Sequence, residues 1–140
     1  MDWNHIHLAT NHIPIIGSLF CMIFWVYAWL RKDAATQRMV LWVILFTTLA
    51  GVGVKFTGDP AVENIKADEQ VIKLHEDWAD RATTGIFFWF LISGWGLIQS
   101  IKSKPLKNYT KILVTVFGVI SMMLLAVAAF YGGKISHPHI

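Results

Sequence analysis

The sequence predicts an all-α membrane protein: a four-transmembrane-helix bundle with an additional outer amphipathic helix between spans two and three. Three observations predict it. The chain has 140 residues, 55% hydrophobic and only 15% charged, whereas a soluble domain is nearer half apolar and a quarter charged. Its mean hydropathy of +0.51 points the same way. The apolar residues fall in four continuous runs rather than in alternation, which favours helices over the many strands of a membrane barrel. This pattern excludes a soluble enzyme domain, a disordered chain and a nucleic-acid binder. The net charge of +3 is better read as an orientation signal than as an anion-binding patch.

The first span covers about Ile13–Leu30. The opening Met1-Asp2-Trp3-Asn4-His5 lacks the basic region of a cleaved signal peptide, so this span is expected to be retained. It contains the single cysteine, Cys21, which has no internal disulfide partner and reads as a small buried hydrophobe; no Cys-x-x-Cys-His run for covalent haem attachment occurs. Span two covers about Met39–Phe56, with Lys55 near its end. Span three covers about Ala82–Ile101 and span four about Ile112–Gly132. Each is close to the 20 or so apolar residues that a membrane helix requires. All lie in one integral membrane domain.

Between spans two and three, Asp59 reads as an N-cap and Pro60 as a first helical residue. Val62, Ile65, Ile72, His75 and Ala79 then recur at helical spacing on one face, with Glu63, Lys66, Glu69, Lys73, Asp77 and Asp80 mostly on the others. No Gly or Pro lies between Ala61 and Thr84, so this outer helix can run straight into span three. The turns Arg31–Arg38 and Lys102–Lys111 are short and basic. By the positive-inside rule they face the cytoplasm, which sends both termini and the Asp59–Arg81 segment outward, to the periplasm in a Gram-negative cell.

With that topology all six histidines, His5, His7, His12, His75, His137 and His139, lie on the outer side. His12 stands at the mouth of span one, His75 on the apolar face of the outer helix, and His137 and His139 just beyond span four. Imidazole ligates haem iron, copper and zinc, and ionisable groups at membrane depth are usually functional. The bland readings are interfacial polar residues for His5 and His7, a tail for His137-Pro138-His139, and a helix-start role for His12. Among cofactors, zinc would draw on Glu76, Asp77 and Asp80, and copper on soft ligands, which here lie deep in the spans (Cys21, Met122, Met123).

Haem b needs two axial histidines on facing helices, an apolar slot, and cations for its propionates. Gly17, Ser18, Gly51, Gly53, Gly85, Gly118, Gly132 and Gly133 could open such a slot, with Trp3, Trp25, Trp78, Trp89, Phe87 and Phe130 as walls. Arg81, Lys134, Lys73 or Lys55 could meet propionates. Glycines of this kind also serve close helix packing, and tryptophans interfacial anchoring.

The run His7-Leu8-Ala9-Thr10-Asn11-His12-Ile13-Pro14-Ile15 resembles the opening of an uncharacterised four-span bacterial membrane family, whose motif is of the His-Pro-x-x-Val-His-Phe-Pro-Ile type. The two histidines keep their separation and the proline its offset, while Leu8, Asn11 and Ile13 replace the motif's proline, valine and phenylalanine. Tyr131-Gly132-Gly133-Lys134-Ile135 resembles the family's closing Gly-Gly-x-Leu-Val segment, and His75 fits its histidine before span three. The resemblance implies the four-span fold and singles out His7, His12, Pro14, His75, Gly132 and Gly133. The family carries no assigned activity.

The expected function is a membrane-bound b-type cytochrome of the bacterial inner membrane. It would hold haem b near the outer face and pass electrons between quinol or a redox partner and another carrier. The expected axial pair is His12 with His75, and His7 or His137/His139 would serve a second site. With no nucleophile–base pair in view, an electron-transfer protein is expected rather than a hydrolase. A histidine-held copper or zinc ion, a homo-oligomer, and a structural subunit of a larger respiratory or transport complex remain open.

Overall fold

The computed structural model describes residues 3–62, 68–101 and 105–136, and all of its regular elements are helices. In chain order these are α1 (Trp3–Arg31), α2 (Ala34–Val62), α3 (Glu69–Ile101) and α4 (Asn108–Ser136). All four are long and apolar enough to cross a membrane. The helices run up and down, with α1 against α2 and α4, and α3 against α2 and α4. Helices α1 and α3 therefore face each other diagonally, as do α2 and α4. One end of the bundle gathers the start of α1, the end of α2, the start of α3 and the end of α4. The other end carries the short basic connections.

The helices run longer than the apolar runs because polar capping extends them. Asp33 closes the α1–α2 turn. Its carboxylate accepts the N–H groups of Ala35 at 3.3 Å and Thr36 at 2.9 Å, and also the Thr36 hydroxyl. These bonds, the hydroxyl's first, hold its carboxyl below the ordinary carboxylate range. Before it, Lys32 sits in the left-handed region at φ 53° and its N–H reaches the Trp29 carbonyl at 3.2 Å, ending α1. The last carbonyls of two helices are met by side chains from α2. Gln37 Nε2 donates to the Ala28 carbonyl at 3.3 Å and Arg38 Nη1 to the Ser100 carbonyl at 3.3 Å.

The region between spans two and three departs from expectation. Gly58, Asp59 and Pro60 do not open a new helix; they ride in the last turns of α2, which continues to Val62. The dihedral that proline fixes is helical in either setting, so the local residues do not distinguish a start from an end. The helix start lies instead at Asp68, whose Oδ1 accepts the Gln70 N–H at 2.9 Å and whose carbonyl accepts the Ile72 N–H at 3.0 Å. Among the described residues there is no separate outer helix. The predicted amphipathic segment, from Glu69 on, is the first part of α3, with Ile72, His75 and Ala79 half-buried; Ile65 lies outside the described residues. At ~1.5 Å per residue α3 is ~50 Å long, against a hydrocarbon thickness of ~30 Å, so it projects well past the membrane core.

The interior is narrow. Cys21, Trp25, Ala28, Leu41, Ile44, Trp89, Leu97 and Val114 form one buried cluster toward the basic end. Ala82, Ile86, Leu125 and Ala128 form another toward the histidine end. Phe20, Phe24, Phe46, Leu49, Trp95, Ile98 and Met123 point outward, as lipid contact demands. Most glycines expected to line an open slot are filled by neighbours. A Cβ at Gly17 would lie 2.7 Å from Thr47 Cγ2, at Gly51 3.1 Å from Pro14 Cβ, and at Gly85 3.0 Å from Leu124 Cδ1. These positions let helices approach rather than expose backbone. Trp25 and Trp89 are likewise core residues; Trp25 Nε1 donates to Thr115 Oγ1 at 3.0 Å and ties α1 to α4.

Gly118 and Gly53 give a paired test of this packing. A Cβ at Gly118 would collide with Met22 Sδ and stand 3.0 Å from the buried Trp89 ring, whereas one at Gly53 meets nothing within 4 Å. Gly118→Ala is expected to destabilise by about 1–3 kcal/mol. Gly53→Ala, on an open helical surface, should be neutral or stabilising by up to about 1 kcal/mol. Unfolding in mixed detergent micelles measures both.

Candidate functional site

The histidine end is assembled from all four helices. Helix α1 supplies His7 and α3 supplies His75, which the diagonal arrangement sets across the bundle from one another. Helix α2 supplies Thr57, and α4 supplies the Ala128 carbonyl and Gly132. His7 Nδ1 lies 3.0 Å from Thr57 Oγ1, and His75 Nδ1 lies 2.9 Å from the Ala128 carbonyl oxygen. Each imidazole is thus held by an adjacent helix.

These bonds fix the rings' proton arrangement. A carbonyl only accepts, so His75 Nδ1 must carry the hydrogen. The Thr57 hydroxyl donates to the Val54 carbonyl at 2.7 Å, so toward His7 it acts as an acceptor, and His7 Nδ1 also carries its hydrogen. In the neutral ring Nε2 is then the lone-pair nitrogen on both residues. An Nδ1–H bonded to a carbonyl or hydroxyl, with Nε2 left to bind, is the arrangement that orients histidine ligands at metal centres.

His7 is half-buried, and burial pushes its pKa below the ordinary 6.5; the nearby His75 charge pushes it in the same direction. Both effects favour the neutral, ligating form. Gly132 sets how closely the His75 ring can approach α4. A Cβ there would lie 3.1 Å from His75 Cε1 and 3.3 Å from Nδ1, whereas one at the neighbouring Gly133 would meet nothing within 4 Å.

The remaining candidates are distributed differently from the expected set. His12 is exposed, and five residues along a helix place it ~140° around α1 from His7. On α1 it is His7 that is half-buried and feels the His75 charge, while His12 faces another side of the helix. Arg81 lies over the Trp78 ring at 4.7 Å, and Lys134 over Phe130 at 4.6 Å and Tyr131 at 5.8 Å. Lys55 pairs with Asp80 at 2.6 Å, tying α2 to α3 at this end. His137 and His139 lie outside the described residues, as does the side chain of His5. Among the described residues no three His, Cys, Asp or Glu side chains gather as a metal site.

Sequence reasoning missed Thr57 and Ala128. Thr57 falls one residue beyond the end assigned to span two, and its role shows only once α2 continues past it. Ala128 contributes a backbone carbonyl, which no side-chain pattern announces.

Two outcomes follow. Because the folded state disfavours His7 protonation, it binds fewer protons than the unfolded chain as pH falls. The His7 contribution to stability is therefore fully present above pH 6.5 and is lost as pH drops below that value. Unfolding measured across pH 8 to 5 should show this loss, and His7→Ala should remove that part of the slope. Thr57→Val leaves the half-buried His7 Nδ1–H without its acceptor and should cost about 1 kcal/mol, read in the same unfolding assay, while Thr57→Ser restores the bond.

No protein-family model matches the chain, and no curated protein or solved structure shows significant similarity to it.

Proposed function

We propose that the chain is a b-type cytochrome that holds haem between His7 and His75 and transfers electrons. The observation that carries this reading is the donor set. Two imidazoles from diagonal helices each have Nδ1 committed to a neighbouring helix and Nε2 left with its lone pair. A porphyrin brings four nitrogens of its own and asks the protein for two axial ligands, whereas a structural zinc ion asks the protein for four. In this reading His7 and His75 would hold the iron through Nε2, and bound haem would supply a one-electron iron couple.

The chain's own residues do the rest. Thr57 and the Ala128 carbonyl hold the rings in register and raise their basicity, and the apolar bundle excludes water. Arg81 and Lys134, already stacked on aromatic rings, are the cations that would meet propionates.

The bundle lies in the bacterial inner membrane, with the basic connections cytoplasmic and the histidine end periplasmic, as the charge asymmetry favours. Electrons would pass between quinol or a redox partner and another carrier on the outer side. A copper ion is the second reading: the same pair of Nε2 lone pairs suits it without a porphyrin.

The visible spectrum of the detergent-purified protein, as isolated and after dithionite, tests the proposal. A sharp Soret band with split α and β bands on reduction is expected. His7→Ala and His75→Ala should each abolish or shift these bands, while His12→Ala should leave them in place. A colourless protein from haem-replete cells overturns the cytochrome reading, and elemental analysis then separates a copper site from a structural subunit.

A further inference from the structure

Charge is divided unevenly between the two ends of the bundle. The connections at residues 31–38 and 102–111 carry seven of the twelve Lys and Arg residues and only one of the nine Asp and Glu residues. At the histidine end a cation finds its counter-charge within the chain, as Lys55 does in Asp80 at 2.6 Å. The basic end has only Asp33 to offer. Its oxygens are taken up by the Ala35 and Thr36 N–H groups and the Thr36 hydroxyl, and the cation whose charge it feels is Arg31. Among the described residues Lys32, Arg38, Lys107 and Lys111 have no carboxylate partner.

These cations stand at the rim of the apolar surface. Arg38 and Lys111 lie about one turn inside α2 and α4 and are half-buried, where a charged head reaches back along its helix to the headgroup layer. Apolar side chains beside them face outward. Leu30, next to Arg31, is 76% exposed, Met39, next to Arg38, 61%, and Ile112, next to Lys111, 52%. Two of the cations rest on tyrosines: Arg31 lies 5.9 Å from the Tyr27 ring centre and Lys107 5.6 Å from that of Tyr109. The Tyr109 hydroxyl accepts a hydrogen bond from Gln99 Nε2 at 3.0 Å, which fastens that ring to α3. Arg38 spends one donor on the Ser100 carbonyl, and a guanidinium has five.

We propose that the basic end is a binding surface for anionic phospholipid. Lys32, Arg38, Lys107 and Lys111 hold phosphodiester headgroups, and the exposed side chains beside them take the first part of the acyl chains. The pairing of charged with apolar neighbours selects this occupant. Free phosphate or a soluble polyanion would answer the charge and leave Leu30, Met39 and Ile112 uncovered. A zwitterionic lipid would cover them but bring its own cation against the lysines. An anionic phospholipid does both, with Lys and Arg meeting its phosphate oxygens in charge-assisted hydrogen bonds. Each such cation near an anionic surface contributes a factor of about five in affinity. The surface is independent of whether the histidine end carries haem.

Native mass spectrometry tests this on the full-length protein, released from uncharged detergent micelles that hold equal amounts of phosphatidylglycerol and phosphatidylcholine with the same acyl chains. Phosphatidylglycerol should be retained with roughly tenfold preference or more, and higher ionic strength should weaken its retention. Lys107→Gln/Lys111→Gln should lower phosphatidylglycerol affinity roughly 25-fold, two factors of about five, while Lys107→Arg/Lys111→Arg keeps it. Lys73→Gln/Lys134→Gln, which removes the same charge from the opposite end, should leave the affinity unchanged. Equal retention of the two lipids overturns the proposal. So does undiminished affinity in the first variant, an equal loss in the variant at the opposite end, or displacement of the lipid by inorganic phosphate, which would mark a site for a free anion.

Discussion

Inside a bilayer a polar group finds a partner within the protein or finds none, and that constraint shapes this molecule at every scale. It forces the backbone into four helices. It sends Ser18, Thr48 and Ser100 back onto carbonyls of their own helices. It makes Trp25 reach across to Thr115 and Gln37 reach back to the last turn of α1. Attraction between apolar surfaces does little to hold such helices together, since lipid is as apolar as leucine. Close approach through glycines does more, as where Gly118 admits Met22 and the Trp89 ring or Gly51 admits Pro14.

The same constraint makes the histidine end a distinctive place. His7 and His75 come from diagonally placed helices, and each is steadied by a helix beside it rather than by the other. The diagonal placement matters for chemistry. Rings on adjacent helices would compete for one groove, whereas rings on diagonal helices can address a common centre from opposite sides. Gly132 brings α4 close enough for its carbonyl to engage one ring, and the extension of α2 to Thr57 does the same for the other. The Lys55–Asp80 pair closes the α2–α3 side of this end; being exposed, it fixes geometry more than it adds stability.

The spans were legible in the sequence because hydropathy over 20 residues reports a property of the whole segment. The helix ends were not, because they depend on single side chains. Asp59-Pro60 looks like a helix start yet rides within α2, and it is Asp68 that caps the start of α3. Extending α2 by two turns is what brings Thr57 into the site, so the error over Pro60 and the omission of Thr57 share a cause. His75 was identifiable as a polar residue on an apolar face. Which histidine of α1 is half-buried and which exposed was not, because that depends on the rotation of α1 about its axis, which local sequence does not fix. The glycines were visible but ambiguous, since a residue without a side chain gives no sign of what will fill the space.

Pro14 also confers a mechanical property. It lies inside α1 with no N–H to offer the carbonyl one turn earlier, so the ladder of that helix lacks a rung between His7 and the membrane span. The turns before it form an arm, joined to the rest of α1 by a weakened joint and latched to α2 through the His7–Thr57 bond. His75, by contrast, sits on α3, a helix with no proline inside it. The two sides of the histidine end thus differ in stiffness: one rests on a complete ladder of backbone hydrogen bonds, the other on a ladder with a rung missing.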